Sequence, residues 1–145
     1  MLVYGGGVED RLVRHFHLAY VKSARASGVE QKLMNAEEFR HLMDAGNIIV
    51  YAILNGDKID CVFGLQLMHD GDGDYLSFLF IYGFADTHMD LLISTCFQTW
   101  YAHRDTKELK QVGRLLIVGR KAWAWRLRKA GVEYERDGQK MWIHE

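Results

Sequence analysis

The sequence contains no proline, only two cysteines and no long apolar run. Breaks between elements therefore have to be located from glycine, asparagine and aspartate. Cys61 and Cys96 lie in apolar stretches without metal-binding spacing, which favours buried thiols in a reducing compartment over a disulfide. No stretch approaches the roughly 20 apolar residues of a membrane span. The charged N-terminal residues do not resemble a signal peptide, so we expect a protein that is neither membrane-spanning nor secreted.

The net charge is −1, but it is unevenly distributed along the chain. Residues 1–103 contain 7 Lys/Arg and 13 Asp/Glu, for a net −6, whereas residues 104–145 contain 11 and 6, for a net +5. The basic C-terminal part is either a surface for an anionic partner or is neutralised by the acidic part within the fold. We favour the second interpretation.

Hydrophobic periodicity and turn residues predict one α/β domain over residues 1–145. The predicted order is β-α-α-β-β-β-α-β-α-β-β, which gives a central mixed sheet flanked by about four helices. Asn35 is the expected N-cap of the second helix, and Asn55-Gly56 the turn of the first hairpin. A third helix is expected from Asp86 onward. The chain should end in a hairpin with a strand at Val132–Arg136.

Short motifs with possible chemistry are incomplete. The acidic stretch Asp70–Asp74 resembles the start of a calcium loop, but Tyr75 and Ile81 stand where that loop needs glycine and glutamate. Gly5–Gly7 precede a helix, yet Glu9 and Asp10 at its start would repel a phosphate. The seven histidines show no metal-ligand spacing, and there is no Gly-x-Ser-x-Gly motif. We predict no metal site and no serine nucleophile.

The basic segment near the C-terminus predicts a helix with one apolar line, formed by Trp123, Leu127 and Ala130. We interpret it first as a core helix, then as a surface for an anionic partner, and last as a membrane helix. Trp142 in the last strand is a further candidate for exposure. The predicted partner surface is Lys121, Trp125, Arg126 and Arg128.

Two stretches resemble the GCN5-related N-acetyltransferase (GNAT) family. The first is "LLIVGRKAWAWRLRKAGVEYE", in which Lys129–Glu133 matches a Lys-x-Gly-Phe/Val-Glu motif after a strand and helix. The second, "EEFRHLMDAGNIIVYAILNGDKIDCVFGLQL", resembles the second helix and the β2–β3 hairpin of that family. The resemblance spans about residues 8–145. It implies that acetyl-CoA would bind between two splayed parallel strands, with its pyrophosphate on a Gln/Arg-x-x-Gly-x-Gly/Ala loop that opens the third helix.

The segment that corresponds to this loop is "IYGFADTHMDLL", Ile81–Leu92. It contains Gly83 but no basic residue, and Asp86 and Asp90 place negative charge where the family binds pyrophosphate. The general-acid tyrosine found in many family members falls on Leu127, and the strand "YLSFLFIY" offers no general base. We therefore predict no catalytic residue and no cofactor, and expect a non-catalytic structural or binding component.

The retained scaffold with a lost CoA loop, and the "RDGQ" turn at Arg136–Gln139, also resemble internal virion proteins of short-tailed phages. That resemblance implies a cytoplasmic or virion location and other proteins, including virion components, as partners.

Two alternatives remain. One is an active N-acetyltransferase that transfers acetyl from acetyl-CoA to an amine, with Tyr82 or His88 near the reacting groups. Its cofactor-binding residues would be Phe80, Ile81, Tyr82 and Gly83. The other, which the slightly negative net charge of the chain disfavours, is an anion- or nucleic-acid-binding module on Lys121, Arg126 and Arg128.

Overall fold

A computed structural model describes residues 2–26, 32–85, 88–89, 92–93, 114–118 and 121–144, without the side chains of residues 2, 3, 121 and 122. The predicted α/β class is confirmed, and the described elements follow the predicted order. They are β1 Leu2–Tyr4, α1 Asp10–Ala26, α2 Ala36–Asp44, β2 Ile48–Asn55, β3 Lys58–Asp70, β4 Gly73–Tyr82, β5 Arg114–Val118, α3 Lys121–Lys129, β6 Glu135–Asp137 and β7 Lys140–His144.

The strands form one mixed sheet in the order β1-β2-β3-β4-β5-β7-β6. Strands β1, β2 and β3 pair antiparallel, and so do β5, β7 and β6. The parallel pair is β4 with β5, in register at Leu76↔Leu115 and Ser77↔Leu116. A strand, helix and parallel strand in one sheet require a long crossover. The helix predicted in that crossover, from Asp86, lies largely outside the described residues; Met89, Leu92 and Ile93 within it are helical.

The chain divides into two compact units, residues 1–66 with 78–84 and residues 67–77 with 85–145. The chain passes from the first unit to the second within β3 and returns to the first within β4. The single domain expected over residues 1–145 stays a prediction.

The first unit is organised around one apolar core. Helix α1 supplies Val13 and Phe16 together with Tyr20, and α2 supplies Phe39. The predicted N-cap is confirmed, because Asn35 Oδ1 accepts a 2.8 Å hydrogen bond from the Glu38 N–H. This cap sets where α2 begins. Its apolar side then packs on β2 and β3, where the buried partners are Ile48, Val50 and Val62.

In the second unit, the buried face of α3 differs from the predicted line. Ala124 and Leu127 are buried and Trp123 is half-buried, whereas Ala130 is exposed. The cause is the end of the helix: Gly131 has φ 75° and the Val132 N–H donates to the Leu127 carbonyl, a C-cap that follows Lys129. Residues 132–134 leave this cap before pairing begins. The predicted strand at Val132–Arg136 was therefore placed too early, and β6 starts at Glu135.

Candidate functional site

The C-terminal end of β4 contains the four residues predicted to hold an acyl-CoA, Phe80–Gly83. The first of them faces the core of the first unit: Phe80 is 2% exposed, and its ring lies 6.2 Å from those of Tyr20 and Phe39. Its ring also lies against Gly64, where a β-carbon would be 2.3 Å from the ring. Phe80 anchors the strand and presents no side chain to a ligand.

Ile81 is bound to helix α1 through its backbone. Its N–H donates to the Ser23 hydroxyl at 3.3 Å, and its carbonyl accepts from the same hydroxyl at 3.1 Å. A serine hydroxyl has one proton and two lone pairs, so a single side chain satisfies both groups at once. The strand-like hydrogen bonds that a pantetheine would make to Ile81 are thus already made within the chain.

Tyr82 carries the exposed side chain of this segment. Its side chain is 45% exposed, and Lys22 Nζ lies 5.7 Å from the centre of its ring. Both groups belong to the first unit, where Lys22 precedes Ser23 on α1. Tyr82 therefore offers an aromatic surface beside a positive charge.

Gly83 lies at a close approach between two backbone segments. It has φ 78°, and a β-carbon there would lie 2.6 Å from the Asp60 carbonyl oxygen. Both conditions require glycine, independently of any phosphate. Asp86 and Asp90, the negative charges expected beside it, lie outside the described residues.

His88 belongs to the second unit and is 8% exposed. Its ring Nδ1 accepts a 3.0 Å hydrogen bond from the backbone N–H of Ala85, and the backbone N–H of His88 donates to the Ala85 carbonyl at 2.9 Å. The contacts with Ala85 give His88 a role in shaping the turn after β4.

The predicted partner surface on α3 is only partly exposed. Trp125 is 54% exposed and Arg128 is exposed, whereas Arg126 is half-buried with its guanidinium 5.2 Å from the Trp123 ring. Lys129 Nζ lies 4.9 Å from the Trp125 ring. The Lys121 side chain is outside the described residues. Trp125 and Arg128 thus remain as the accessible part of the predicted surface.

An open cavity of about 650 Å³ lies beyond the C-terminus of α3. It contains two arginines and one glutamate, and the Arg136 Nε donates to the Gly138 carbonyl at 3.1 Å. Its lining residues are Arg128, Gly131, Val132, Glu133, Tyr134 and Arg136.

The acidic segment between β3 and β4 is a turn, as predicted, and an ion pair between Arg114 and Asp70 holds it in place. Arg114 donates to both oxygens of Asp70, at 2.8 and 3.2 Å, and the Asp72 N–H donates to the same carboxylate. The hydrogen bond from Arg114 is the largest cause that holds the pKa of Asp70 below its usual value. No group of His, Cys, Asp and Glu in the described ranges forms a cluster that could hold a metal ion.

Trp142 is half-buried beside this ion pair, which excludes it as an exposed partner residue. The Arg114 guanidinium lies 5.0 Å from the Trp142 ring and 5.2 Å from the Tyr75 ring, and the two rings contact each other edge to face. Arg114 thus joins the β3–β4 turn to β7, a role for which the sequence offered no signal beyond its position at the start of a strand.

Comparison with known proteins identifies the fold of this chain. No family model matches the chain, and no curated protein is similar to it. Among solved structures, an acetyltransferase of the GNAT family from Listeria monocytogenes superposes with a TM-score of 0.58 and 10% identity, covering 99% of this chain and 93% of its own. A predicted acetyltransferase with acetyl-CoA from Clostridium acetobutylicum gives 0.57 and 7% identity, covering 94% and 93%. A probable acetyltransferase gives 0.55 and 10% identity, covering 96% and 93%.

The chain therefore has the α/β fold of the GNAT acetyltransferases, as expected from the sequence. In the part of the chain that the structure describes, no helix combines the length and apolarity needed to cross a bilayer.

Proposed function

We propose that this chain is a non-catalytic GNAT-fold protein that binds other macromolecules and does not use acetyl-CoA. The observation that carries the proposal is the pair of hydrogen bonds between Ser23 and Ile81. In the family that the sequence resembles, the acyl-CoA lies along the strand that corresponds to β4. In this chain the hydrogen-bonding groups of Ile81 are bound by its own helix.

The energetic balance supports the same conclusion. A pantetheine that bonds to Ile81 has to displace both hydrogen bonds of the part-buried Ser23 hydroxyl, and a buried polar group left without a partner costs about 1–3 kcal/mol. In enzymes that bind nucleotides well, phosphate contacts at a helix N-terminus offset such costs. The segment after β4 contains two aspartates and no lysine or arginine, so it opposes an anion.

The position expected for a general acid also argues against acetyl transfer. It is occupied by Leu127, which is fully buried and cannot donate a proton. Of the polar side chains considered for the chemistry, His88 bonds to its own turn. Tyr82 alone presents an accessible hydroxyl-bearing ring.

We further propose that the binding role belongs to a phage particle, with other virion proteins as partners. The support is the resemblance of the Arg136–Gln139 turn in a GNAT-like chain without a CoA loop. Hairpin geometry accounts for the same residues, since Gly138 has φ 61° and Asp137 pairs with Lys140. The tagged chain should co-purify with phage particles from infected cells, whereas an unrelated protein of the same lysate should not. That outcome would support this location.

The alternative function is an active N-acetyltransferase. It is favoured by the fold and by the structural neighbour from Clostridium acetobutylicum, which contains acetyl-CoA. In that case the backbone of Phe80–Gly83 would have to exchange the Ser23 contacts for the cofactor.

Thermal unfolding with and without acetyl-CoA distinguishes the two functions. A ligand that binds only the native state stabilises it by about 2.7 kcal/mol at a hundredfold excess over Kd, which raises Tm by several degrees. We expect no shift for the wild type. Ser23→Ala releases both backbone groups of Ile81, whereas Ser23→Thr keeps a hydroxyl and is the matched control. A shift in Ser23→Ala alone identifies Ser23 as the obstruction.

A shift in the wild type would contradict the proposal. Release of free CoA from acetyl-CoA in the presence of an amine would then assign the chain to the acetyltransferases.

A further inference from the structure

The exposed face of helix α1 is positively charged along its whole length. At 3.6 residues per turn six of its exposed side chains fall within an arc of about 100°, and the first and last of the six are separated by about 21 Å along the axis; the exposed Asp10 and Ala26 lie outside this arc. We call this face the α1 strip; its residues are Arg11, Arg14, His15, Leu18, Lys22 and Arg25.

This strip is not a consequence of composition. Residues 1–103 contain 7 Lys/Arg against 13 Asp/Glu, yet four of those seven cations lie on this one helix face. The single carboxylate of α1, Asp10, forms an ion pair with Arg40 of α2. The acidic part of the chain thus concentrates positive charge at one place, which is the electrostatic footprint of an anion-binding surface.

Among the described residues, none of Arg11, Arg14, Lys22 and Arg25 forms an ion pair with a carboxylate. Like charges three residues apart oppose helix formation, and the strip contains two such pairs. A negatively charged partner would relieve this repulsion.

An exposed aromatic ring lies next to the strip. The Tyr82 ring is 45% exposed and 5.7 Å from Lys22 Nζ, and the two Ser23–Ile81 hydrogen bonds fix the end of β4 against α1. Cations that follow a phosphate backbone, together with an aromatic ring on which a base stacks, are the combination used by single-strand-binding proteins.

We propose that the α1 strip and Tyr82 bind single-stranded nucleic acid without sequence preference. The phosphates contact the four cations and one base stacks on Tyr82. The inference goes beyond the proposed function, because it holds whether or not the chain binds acetyl-CoA.

The composition of the strip favours a polyanion over two other negatively charged partners. An acidic helix docks through apolar side chains at successive turns. A membrane-surface helix presents several large apolar residues to the lipid. The strip contains one apolar residue, Leu18, which is 50% exposed and lies between the two pairs of cations.

Fluorescence anisotropy of a labelled thymidine oligonucleotide of about 20 nucleotides, measured over a series of salt concentrations, tests the proposal. Four phosphate contacts on a single strand predict a slope of log K against log salt of about −3. Arg14→Gln and Lys22→Gln should each reduce the magnitude of that slope by about 0.7. Arg128→Gln, the same charge change at an exposed position of α3, should leave it unchanged.

The ring is tested separately from its hydroxyl. Tyr82→Ala should weaken binding roughly tenfold, whereas Tyr82→Phe should bind as the wild type does. All of these positions are exposed, so equal thermal unfolding of the variants verifies that the fold is intact.

Three outcomes would overturn the proposal. The first is absence of oligonucleotide binding at low salt, including the case in which a glutamate-rich peptide or anionic vesicles bind instead. The second is a slope that Arg14→Gln and Lys22→Gln do not change. The third is a reduction of the magnitude of the slope by Arg128→Gln equal to the one expected for Arg14→Gln and Lys22→Gln, because it would place the phosphate contact on α3.

Discussion

Gly64 and Gly83, two glycines of the first unit, occupy positions where a β-carbon would collide with different neighbours. At Gly64 the obstacle is the Phe80 ring, 2.3 Å from the added atom, and at Gly83 it is the Asp60 carbonyl oxygen, 2.6 Å away. The ring belongs to a packed core, whereas the carbonyl is fixed by the backbone of β3. Gly83 also has φ 78°, so its presence is explained by backbone geometry.

Gly64→Ala should destabilise the protein by about 1–3 kcal/mol, because the added methyl group overpacks the core against Phe80. Phe80→Leu in the same chain should relieve the clash, so the double variant should lose less stability than the sum of the two single variants. Gly71→Ala is the matched control, since a β-carbon there has no neighbour within 4 Å. Urea unfolding measures the four variants and the wild type. Additive losses would show that Phe80 does not limit the space at Gly64.

The role of Ser23 was beyond the reach of the sequence. Its partner Ile81 is 58 residues away, and the contact depends on how α1 lies against the end of β4. Local periodicity places Ser23 on the side of α1 next to its buried face but carries no information about which backbone groups it meets. The residues predicted to hold a cofactor were named from a family pattern, and their hydrogen-bond partners come from tertiary contacts alone.

At the scale of elements, the sequence predicted the order of helices and strands because each signal is local. Asn35 caps α2 and Asn55-Gly56 separates β2 from β3, as their side chains and backbone preferences require. The errors fall at the end of α3. The cap formed with Gly131 ends α3 at Lys129, so Ala130 lies outside the helix and is exposed. Strand β6 begins three residues later than predicted.

Arg114 shows how a contact between elements alters a titration. Its hydrogen bonds to Asp70 lower the pKa of that carboxyl and raise the pKa of the guanidinium. A carboxyl group whose pKa is lower in the folded than in the unfolded protein stabilises the folded state at pH values above its unfolded pKa, near 3.8. This contribution disappears as the pH falls through the folded-state pKa.

Asp70→Asn should therefore be less stable than the wild type at pH 7, with a difference that shrinks as the pH falls below about 3.8. Urea unfolding at several pH values measures this difference. Asp57→Asn, at an exposed turn position, is the control and should show a smaller difference at pH 7. A gap between wild type and Asp70→Asn that persists unchanged to the lowest pH would mean that the ion pair is not its source.

At the scale of the whole molecule, the net charge of each half of the sequence did not predict where charged side chains are exposed. The sequence directed attention to the basic residues 104–145, where Arg114 and Arg126 are bound to neighbouring side chains. The acidic residues 1–103 instead contain the α1 strip, because helical spacing brings together cations that are scattered in the sequence. The net charge of a segment does not reveal that its cations lie on one face of a helix, because that depends on the helical spacing of the residues.

Cys61 provides a test of how the native molecule opens. It is a free thiol in β3 with 1% exposure, and burial, with a smaller contribution from the Asp60 charge, raises its pKa from 9.0 to about 11. The raised pKa lowers the thiolate fraction about 100-fold, and the thiolate is the form that reacts.

In a Cys96→Ser background, the reaction of Cys61 with a disulfide reagent at pH 8 should therefore require unfolding, and its rate should rise with urea as the global unfolding equilibrium does. The reference is Asp57→Cys in a chain that lacks both native cysteines, which should react at once because position 57 is exposed. Suppose instead that Cys61 reacts only about 100-fold more slowly than this reference and that urea has no effect. Protonation alone would then account for the protection, and the part of β3 that contains Cys61 would be accessible in the native state.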